Sequence, residues 1–503
     1  MKNRTLATEI AIFITLILCY AYFFPRWADP NQNSRLDMVI AVVEDGTFQI
    51  NKYVDNTVDY AKVGEHYYSD KAPGAAFLGI PVYAVLKGIL DQPVLQSLTD
   101  RLANSAAFQS TLREEGSGVL EQKVRFALAQ VALTFVAAVL PSAILGVLLF
   151  HVAGWFTTSL TIRLLVTLAY ALLSPAFPYA GAFYGHQLSA CLLFATFALA
   201  AGVEQELTAK RLFFSGFLLG YAFISEYPAI LIIGILMIYI IYRLIATETI
   251  PKFGWFVLGA AIVAVGWLAY NDAVFGSPFK LGYSESELWQ VQHKTGFMSL
   301  TMPRLDALWG ITFSPFRGLF FLSPWMLVCL PGFWVWYRAK KYRGIFWVAL
   351  TSILAMFLFN ISSVMWWGGF AVGPRYILPG LPFMVLAAVF FFRQWGKKNG
   401  SKWFTVVSMI WSLIAVWGLS LADQAFPSDT IKNPLLEYAL PNWSNGNIAR
   451  NLGTLIGLQR LTSLMPLFIM LFLIWAVWGW QQRRSMNETL HKMKATLDHH
   501  SFE

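Results

Sequence analysis

Between Val58 and Gly74 the chain reads VDYAKVGEHYYSDKAPG, which gathers Asp59, Lys62, Glu65, His66, Asp70 and Lys71 ahead of a Pro-Gly turn. Carboxylates of this kind can take a proton from a hydroxyl, and cations beside them can hold a phosphate. Three uses compete: a solvated connector, an ion or proton path, or a site that handles a charged substrate. Similar mixtures of acids, cations, Gly and Pro in aromatic settings recur at FYGHQ (183–187), SEY (225–227), YNDAVFGSPFKLGY (270–283), SPFRGLFFLSP (314–324) and WWGGFAVGPRY (366–376). Arg375, after Gly373 and Pro374, is placed to meet a phosphate with its bidentate fork, and Arg317 is a second candidate.

Each of these residues also has a structural reading. Asp55, Asp59, Glu65 and Asp70 can be solvated loop acids or helix caps, and His186 can be a cap or packing residue where an apolar run begins. Glu226 can pair with a cation across a helix interface. Arg317 and Arg375 can snorkel, although they fall on the side of the membrane where basic residues are scarce. The Trp366–Trp367 pair fits an interfacial belt better than a sugar-stacking floor.

The elements that position these groups follow from composition. The 503 residues are 57% hydrophobic and 13% charged, with 41 Phe and 20 Trp, which excludes a water-soluble globule. Apolar runs of about 17 to 25 residues recur, the length that crosses a hydrocarbon core as helix. The first, Ala7 to Phe24, has no small-residue cleavage pattern and predicts a retained anchor. Cys19, Cys191 and Cys329 lie far apart in apolar runs, so neither a disulfide framework nor a cysteine metal site is expected. The net charge of +9 resides at helix ends, which points to membrane orientation and away from nucleic acid.

About twelve spans are expected, near 7–24, 126–150, 160–180, 187–204, 212–227, 229–244, 254–271, 318–337, 345–363, 376–392, 403–421 and 463–481. The basic loops at 209–211, 338–343 and 393–402, with Lys2, Arg4, Arg243, Lys252, Arg483 and Arg484, then share one side, which places both termini in the cytoplasm. Segments 25–123, 271–317, 366–375 and 422–461 fall outside. In the first of these, NSRLDMVIAVVEDG (33–46) sets Leu36, Val39, Ile40 and Val43 at helical spacing opposite Arg35, Glu44 and Asp45, which predicts a helix along the membrane surface. The run 75–90 is short, carries Pro81 and Lys87, and would invert every later helix if it crossed; it is expected to be interfacial or re-entrant. The expected fold is therefore an all-α polytopic membrane domain over 1–485, with 25–123 as an external platform of interfacial helices, followed by a short cytoplasmic tail at 486–503.

With this order of elements the chain resembles the membrane-embedded GT-C glycosyltransferases, which include protein O-mannosyltransferases and the lipid A aminoarabinose transferase. In that family a first span leads to an acidic motif on a surface helix, then to a Lys-Pro-Pro-Leu-like turn and another amphipathic helix. NQNSRLDMVIAVVEDGTF (31–48) and YYSDKAPGAAFLGIPVY (67–83) occupy those places, and the later match culminates in Gly-Pro-Arg-Tyr at 373–376. The chain departs at the acidic pair, where Gln32 and Asn33 stand before Arg35. The acid's work then falls to Asp29 or Asp37, or to Asp59 or Asp70, which flank the Lys-Ala-Pro-Gly turn and rank first.

The resemblance implies transfer of a sugar from a polyprenyl-phosphate donor to a lipid, glycan or protein acceptor at the external face of a prokaryotic cytoplasmic membrane. It implies catalytic roles for Asp59, Asp70 and Asp37, donor phosphate contacts from Lys71, Arg375, Arg317 and His186, and substrate contacts from Asn33, Arg35, Tyr68, Glu226 and Trp367. No cofactor is firmly implied; a divalent cation is compatible with the acids, but no spacing marks a dedicated metal site. Two other classes compete: a transporter or lipid flippase for envelope precursors, for which the related halves typical of transporters are missing, and a noncatalytic envelope scaffold.

Overall fold

The computed structural model describes residues 2–27, 29–104, 123–202, 206–297 and 299–500. Part of the expected external platform, 105–122, lies outside the described residues, as does the end of the expected tail at 501–503. Helix dominates. In chain order the elements used below are α1 (Lys2–Ala21), α2 (Pro30–Glu44), α3 (Gly74–Leu90), α4 (Pro93–Ala103), α5 (Lys123–Ala153), α6 (Leu160–Leu172), α7 (Gly185–Ala201), α8 (Ala209–Ser225), α9 (Tyr227–Ala246), α10 (Ile250–Phe275), α11 (Cys329–Ala339), α12 (Arg343–Ser362), α13 (Arg375–Trp395), α14 (Asn399–Leu421) and α15 (Arg460–Arg484).

Every stretch expected to span contains helix, but fewer of these helices are long and apolar enough to cross on their own. Among the described residues seven meet that test: α5, α9, α10, α12, α13, α14 and α15. Apolar helices over Thr5–Ala21, Leu160–Leu172 and Gly185–Ala201 are shorter. The expected span at 318–337 is broken, with short turns at Leu319–Leu322 and Pro324–Val328 ahead of α11, because Pro324 lacks the amide a continuous helix needs there. The run at 75–90 is helical, and α3 and α4 meet at a bend of 93°, the geometry of a broken span or a re-entrant loop.

Two corrections concern the segment after α1. First, α2 is a helix, but it does not lie open on a surface: every residue from Gln32 to Ala41 is buried. Leu36, Val39 and Ile40 join a small core with Ala75, Ala76 and Leu133, while the opposite side turns inward to polar partners. A helix wedged between an apolar core and a buried polar pocket has the same amphipathic spacing as one between lipid and water, so the pattern alone does not separate them. Second, the fold contains a two-stranded antiparallel hairpin, β1 (Ala61–Val63) and β2 (His66–Tyr68), with Ala61 opposite Tyr68 and Val63 opposite His66. Gly64, at φ +60°, makes the tight turn accessible.

The larger core fills the bundle among α1, α5, α6, α7, α11 and α13, where Phe150, Phe194, Phe197, Trp336 and Phe383 are enclosed. The small core lies at one end of this bundle, beneath α2, α3 and the hairpin. That end is also where α8 gives way to α9 at Glu226.

Candidate active site

The hairpin builds the first half of the site. Extending its register two positions past Ala61 and Tyr68 sets Asp59 opposite Asp70, and Lys71 follows at once. Lys71 Nζ lies 2.6 Å from Asp59 Oδ1 and 3.0 Å from Asp70 Oδ1. All three are enclosed: Asp59 is 5% exposed, Asp70 0% and Lys71 6%. The Asp59 amide is held by Thr57 Oγ1 at 3.0 Å, and Ser69 Oγ lies 2.9 Å from Ser34 Oγ on α2, so both ends of the hairpin are tethered.

Burial, reinforced by the negative charge of Asp59, raises the Asp70 carboxyl to about 6, against the pull of Lys71. Burial alone would lower the Lys71 ammonium, but Asp59 and Asp70 outweigh it and hold the group above the ordinary lysine value. The trio is a cation held between two acids, one of which titrates close to neutrality.

A segment after α10 roofs this trio. Ser286 bridges to Ala61, and the Glu287 amide donates to Tyr60 O at 3.1 Å. The Tyr283 ring centroid lies 5.8 Å from Lys71 Nζ, and the His293 ring stacks on Tyr283 at 5.1 Å. Gly282 permits the contact, since a Cβ there would come within 2.8 Å of Asp70 O.

Helix ends supply the second half. Glu226, at the junction of α8 and α9, faces His186 Nδ1 at 3.2 Å and Arg35 Nη2 at 3.8 Å. His186 enters from the first turn of α7, where Gly185 lets that turn press on the junction: a Cβ at Gly185 would lie 2.1 Å from Ser225 O. The His186 ring stacks on Tyr184 at 5.6 Å, and Tyr184 Oη donates to Asp29 Oδ2 at 2.6 Å. Asp29 also caps α2, accepting from the Asn31 and Gln32 amides, and burial lifts its carboxyl above the usual range despite the Tyr184 bond.

Arg375, at the first turn of α13, lies over the rings of Tyr184 and Tyr376 at 5.5 and 5.4 Å. Among the described residues it makes no ion pair, and its buried Nε lacks a hydrogen-bond partner. The two halves are within electrostatic reach of each other, for Arg35 opposes the charge on Lys71, and Asp29 senses both Asp59 and Arg375. One polar basin therefore holds Asp29, Arg35, Asp59, Asp70, Lys71, His186, Glu226 and Arg375. Its tyrosines, Tyr184, Tyr283 and Tyr376, were not among the residues singled out by sequence; the only cue was their position beside Gly and charged residues.

The remaining candidates bond mainly to neighbouring turns, and the turn that Arg317 holds lies against Arg375, for a Cβ at Gly368 would come within 3.0 Å of Arg375 Nε. Arg317 is fully buried and donates to the carbonyls of Trp367 (3.1 Å), Phe316 (3.1 Å) and Gly369 (2.8 Å), so it clamps the 366–369 turn. Burial lowers its guanidinium to about 10. Trp367 Nε1 donates to Asp429 Oδ2 at 3.1 Å. Asn33 ties the carbonyls of Trp27 and Asn56, and Asp37 accepts from Asn56 Nδ2 at 3.1 Å, so both brace the 54–56 turn on another side of α2 from Arg35. Tyr68 packs edge-on against Phe275, with ring centroids 6.4 Å apart. Among the described residues no group of three or more His, Cys, Asp or Glu could hold a metal ion.

No family model matches the chain, and no curated protein matches it. Among solved structures it is similar to the crystal structure of ArnT from Cupriavidus metallidurans bound to undecaprenyl phosphate, with 14% identity, 82% of this chain and 70% of that chain covered, and a TM-score of 0.44.

Proposed function

We propose that this protein is a membrane-embedded glycosyltransferase of the GT-C type that takes a sugar from a polyprenyl-phosphate donor. The observation that carries the reading is the pairing, in one basin, of the enclosed Asp59–Lys71–Asp70 trio, in which Asp70 is raised to about 6, with Arg375, which among the described residues makes no ion pair. In this reading the acceptor hydroxyl attacks the anomeric carbon while its proton passes to Asp59 or Asp70. The bond from that carbon to the phosphate oxygen breaks, and its electron pair leaves with the phosphate. Arg375, assisted by Arg35, stabilises the charge that develops there.

Lys71 holds the two acids together. Tyr283 and the roof segment exclude water that would otherwise compete with the acceptor. In this reading the basin opens at the external face of the cytoplasmic membrane, a topology supported by the basic loops that gather on the other side in the sequence. The donor enters from the lipid, and the acceptor is a lipid, glycan or protein.

The test is transfer of labelled sugar from a panel of polyprenyl-phosphate sugars by the purified full-length protein, beside Asp59→Asn, Asp70→Asn and Arg375→Ala. Label reaching acceptor or water with wild type, and lost in an Asp variant that still folds, supports the reading. No turnover and no donor binding across a broad panel sinks it in favour of transport or scaffolding.

A further inference from the structure

The segment that roofs the trio carries a hydroxyl that the transfer chemistry leaves unused. It starts on Asp70, where Gly282 presses so close that a Cβ would stand 2.9 Å from Asp70 Cα. One tight turn over Gly282–Glu285 then leads to Ser286, which pairs with Ala61 along the free edge of β1. The Glu287 amide, donating to Tyr60 O at 3.1 Å, keeps the same register. Residues opposed across antiparallel strands share a face, so Ser286 lies on the face of Ala61 and Tyr68, and alternation adds Asp59 and Asp70 to it.

Two unmet needs coincide there. Ser286 is 1% exposed, and among the described residues its Oγ has no hydrogen-bond partner. Asp70 is 0% exposed, and neither of its oxygens has one either, although Oδ1 lies 3.0 Å from the Lys71 ammonium. Lys71 is shared with Asp59 at 2.6 Å, so it does not fill both Asp70 oxygens. The hydroxyl and the carboxyl meet without a formed hydrogen bond, yet they feel each other: burial and the charge on Asp59 lift Asp70, while Lys71 and then Ser286 draw it back. An enclosed hydroxyl and an enclosed carboxylate each cost free energy while unpaired, and pairing them satisfies both.

We propose that Ser286 is a positioning residue, whose hydroxyl donates to the Asp70 carboxylate and holds it in the charged form that accepts a proton. The inference rests on the glycosyltransferase reading for the source of that proton, and it commits to Asp70 over Asp59 as the base. Besides Asp59 and Lys71, the charged and titratable groups facing Asp70 and its partners are Arg35 on α2, Glu226 and Tyr227 at the α8–α9 junction, Tyr270 on α10, and Tyr283 and His293 in the roof. Burial and Lys71 lower His293 to about 4, and tyrosines ordinarily ionise only at about 10, so neither kind changes charge where Asp70 does.

The experiment follows Asp70 in two ways in the full-length protein: by infrared titration of its carboxyl C=O band, taken as the difference from Asp70→Asn, and by the pH–rate profile of sugar transfer. Loss of a donor to the charged form should raise the infrared midpoint of Ser286→Ala by about one pH unit over wild type. The rate inflection should move with it, a loss of about fivefold near pH 6 that is recovered near pH 8. Ser286→Thr, which keeps the hydroxyl, should restore both. Ser284→Ala, which removes an exposed hydroxyl of the same turn that donates to Leu281 O, should leave the infrared midpoint in place. A midpoint unmoved by Ser286→Ala, or moved equally by Ser286→Thr, overturns the inference. So does a midpoint that moves while the rate inflection stays put, since Asp70 is then not the base. A midpoint that moves as expected in a protein that transfers no sugar upholds the pairing of hydroxyl and carboxylate and sinks the glycosyltransferase reading instead.

Discussion

Lys71 and Asp59 are joined at 2.6 Å across the open end of a hairpin whose register also sets Asp70 beside them. Removing the lysine leaves two enclosed carboxylates facing each other. Lys71→Gln should cost about 3 to 5 kcal/mol of stability, the usual result of breaking a buried pair from one side. Asp59→Asn with Lys71→Gln should recover much of that loss while remaining inactive. Thermal midpoints and transfer rates of the single and double variants check both statements. A double variant no more stable than Lys71→Gln alone would show that the lysine's role is not charge compensation.

The Asp70 carboxyl, raised from 3.8 to about 6, gives a pH dependence with a defined sign. Below about 6 the group is protonated and cannot take a proton from an acceptor, so the transfer rate should rise through pH 6 and level off above it. Stability runs the other way. The folded state binds the proton more tightly than the unfolded chain, so this group favours folding most at low pH, and that contribution fades as pH climbs from about 4 to about 6. Asp70→Asn should remove the stability dependence over that window. A rate profile with no inflection near 6 would take Asp70 out of proton transfer.

The two arginines separate by phenotype. Arg375→Gln should leave the thermal midpoint nearly unchanged and lower kcat by about a hundredfold or more, the scale of losing one charge-stabilising donor. Arg317→Gln removes donors from two backbone carbonyls of the 366–369 turn and from that of Phe316, and should instead lower stability by about 2 to 4 kcal/mol. Midpoints and kcat measured side by side decide. The reverse pattern would exchange their roles.

Gly185 offers a steric test of the second half of the site. Its Cβ would stand 2.1 Å from Ser225 O and 2.7 Å from Glu226 Oε1, so Gly185→Ala must push the α8–α9 junction away from His186. The expected cost is about 1 to 3 kcal/mol, with loss of transfer even where the protein still folds. A fully active, equally stable variant would show that the contact between His186 and Glu226 is dispensable.

Much of this was legible in the sequence, and the gaps have physical causes. Helix at every expected span followed from long apolar runs, which lipid leaves few other ways to satisfy. Asp59, Asp70 and Lys71 stood out because charge is rare in such a chain, and the structure brings them together. The hairpin that does so was missed, since AKVGEHYY is only three residues a strand and its alternation is diluted by ionisable side chains. Asp37, Asn33 and Arg317 each bond backbone or amide groups of neighbouring turns in the structure. Buried turns need side chains to satisfy backbone and amide groups, and composition cannot distinguish that need from a substrate's. Tyr184 escaped notice because a tyrosine among aromatics carries no charge signal, although its hydroxyl links Asp29 to the His186 face.

The hairpin also works as a gauge of length. Side chains alternate between faces along each strand, so Asp59 and Asp70 share a face only while the residues between them divide evenly about the turn at Gly64 and Glu65. Taking one residue from either arm would point one acid away from Lys71. Taking an opposed pair, such as Lys62 with Tyr67, would turn both acids to the other face, and only a change of two on each arm would restore them. The eleven-position step from one acid to the other is therefore a parity constraint that tolerates changes of side chain along the arms far better than changes of count.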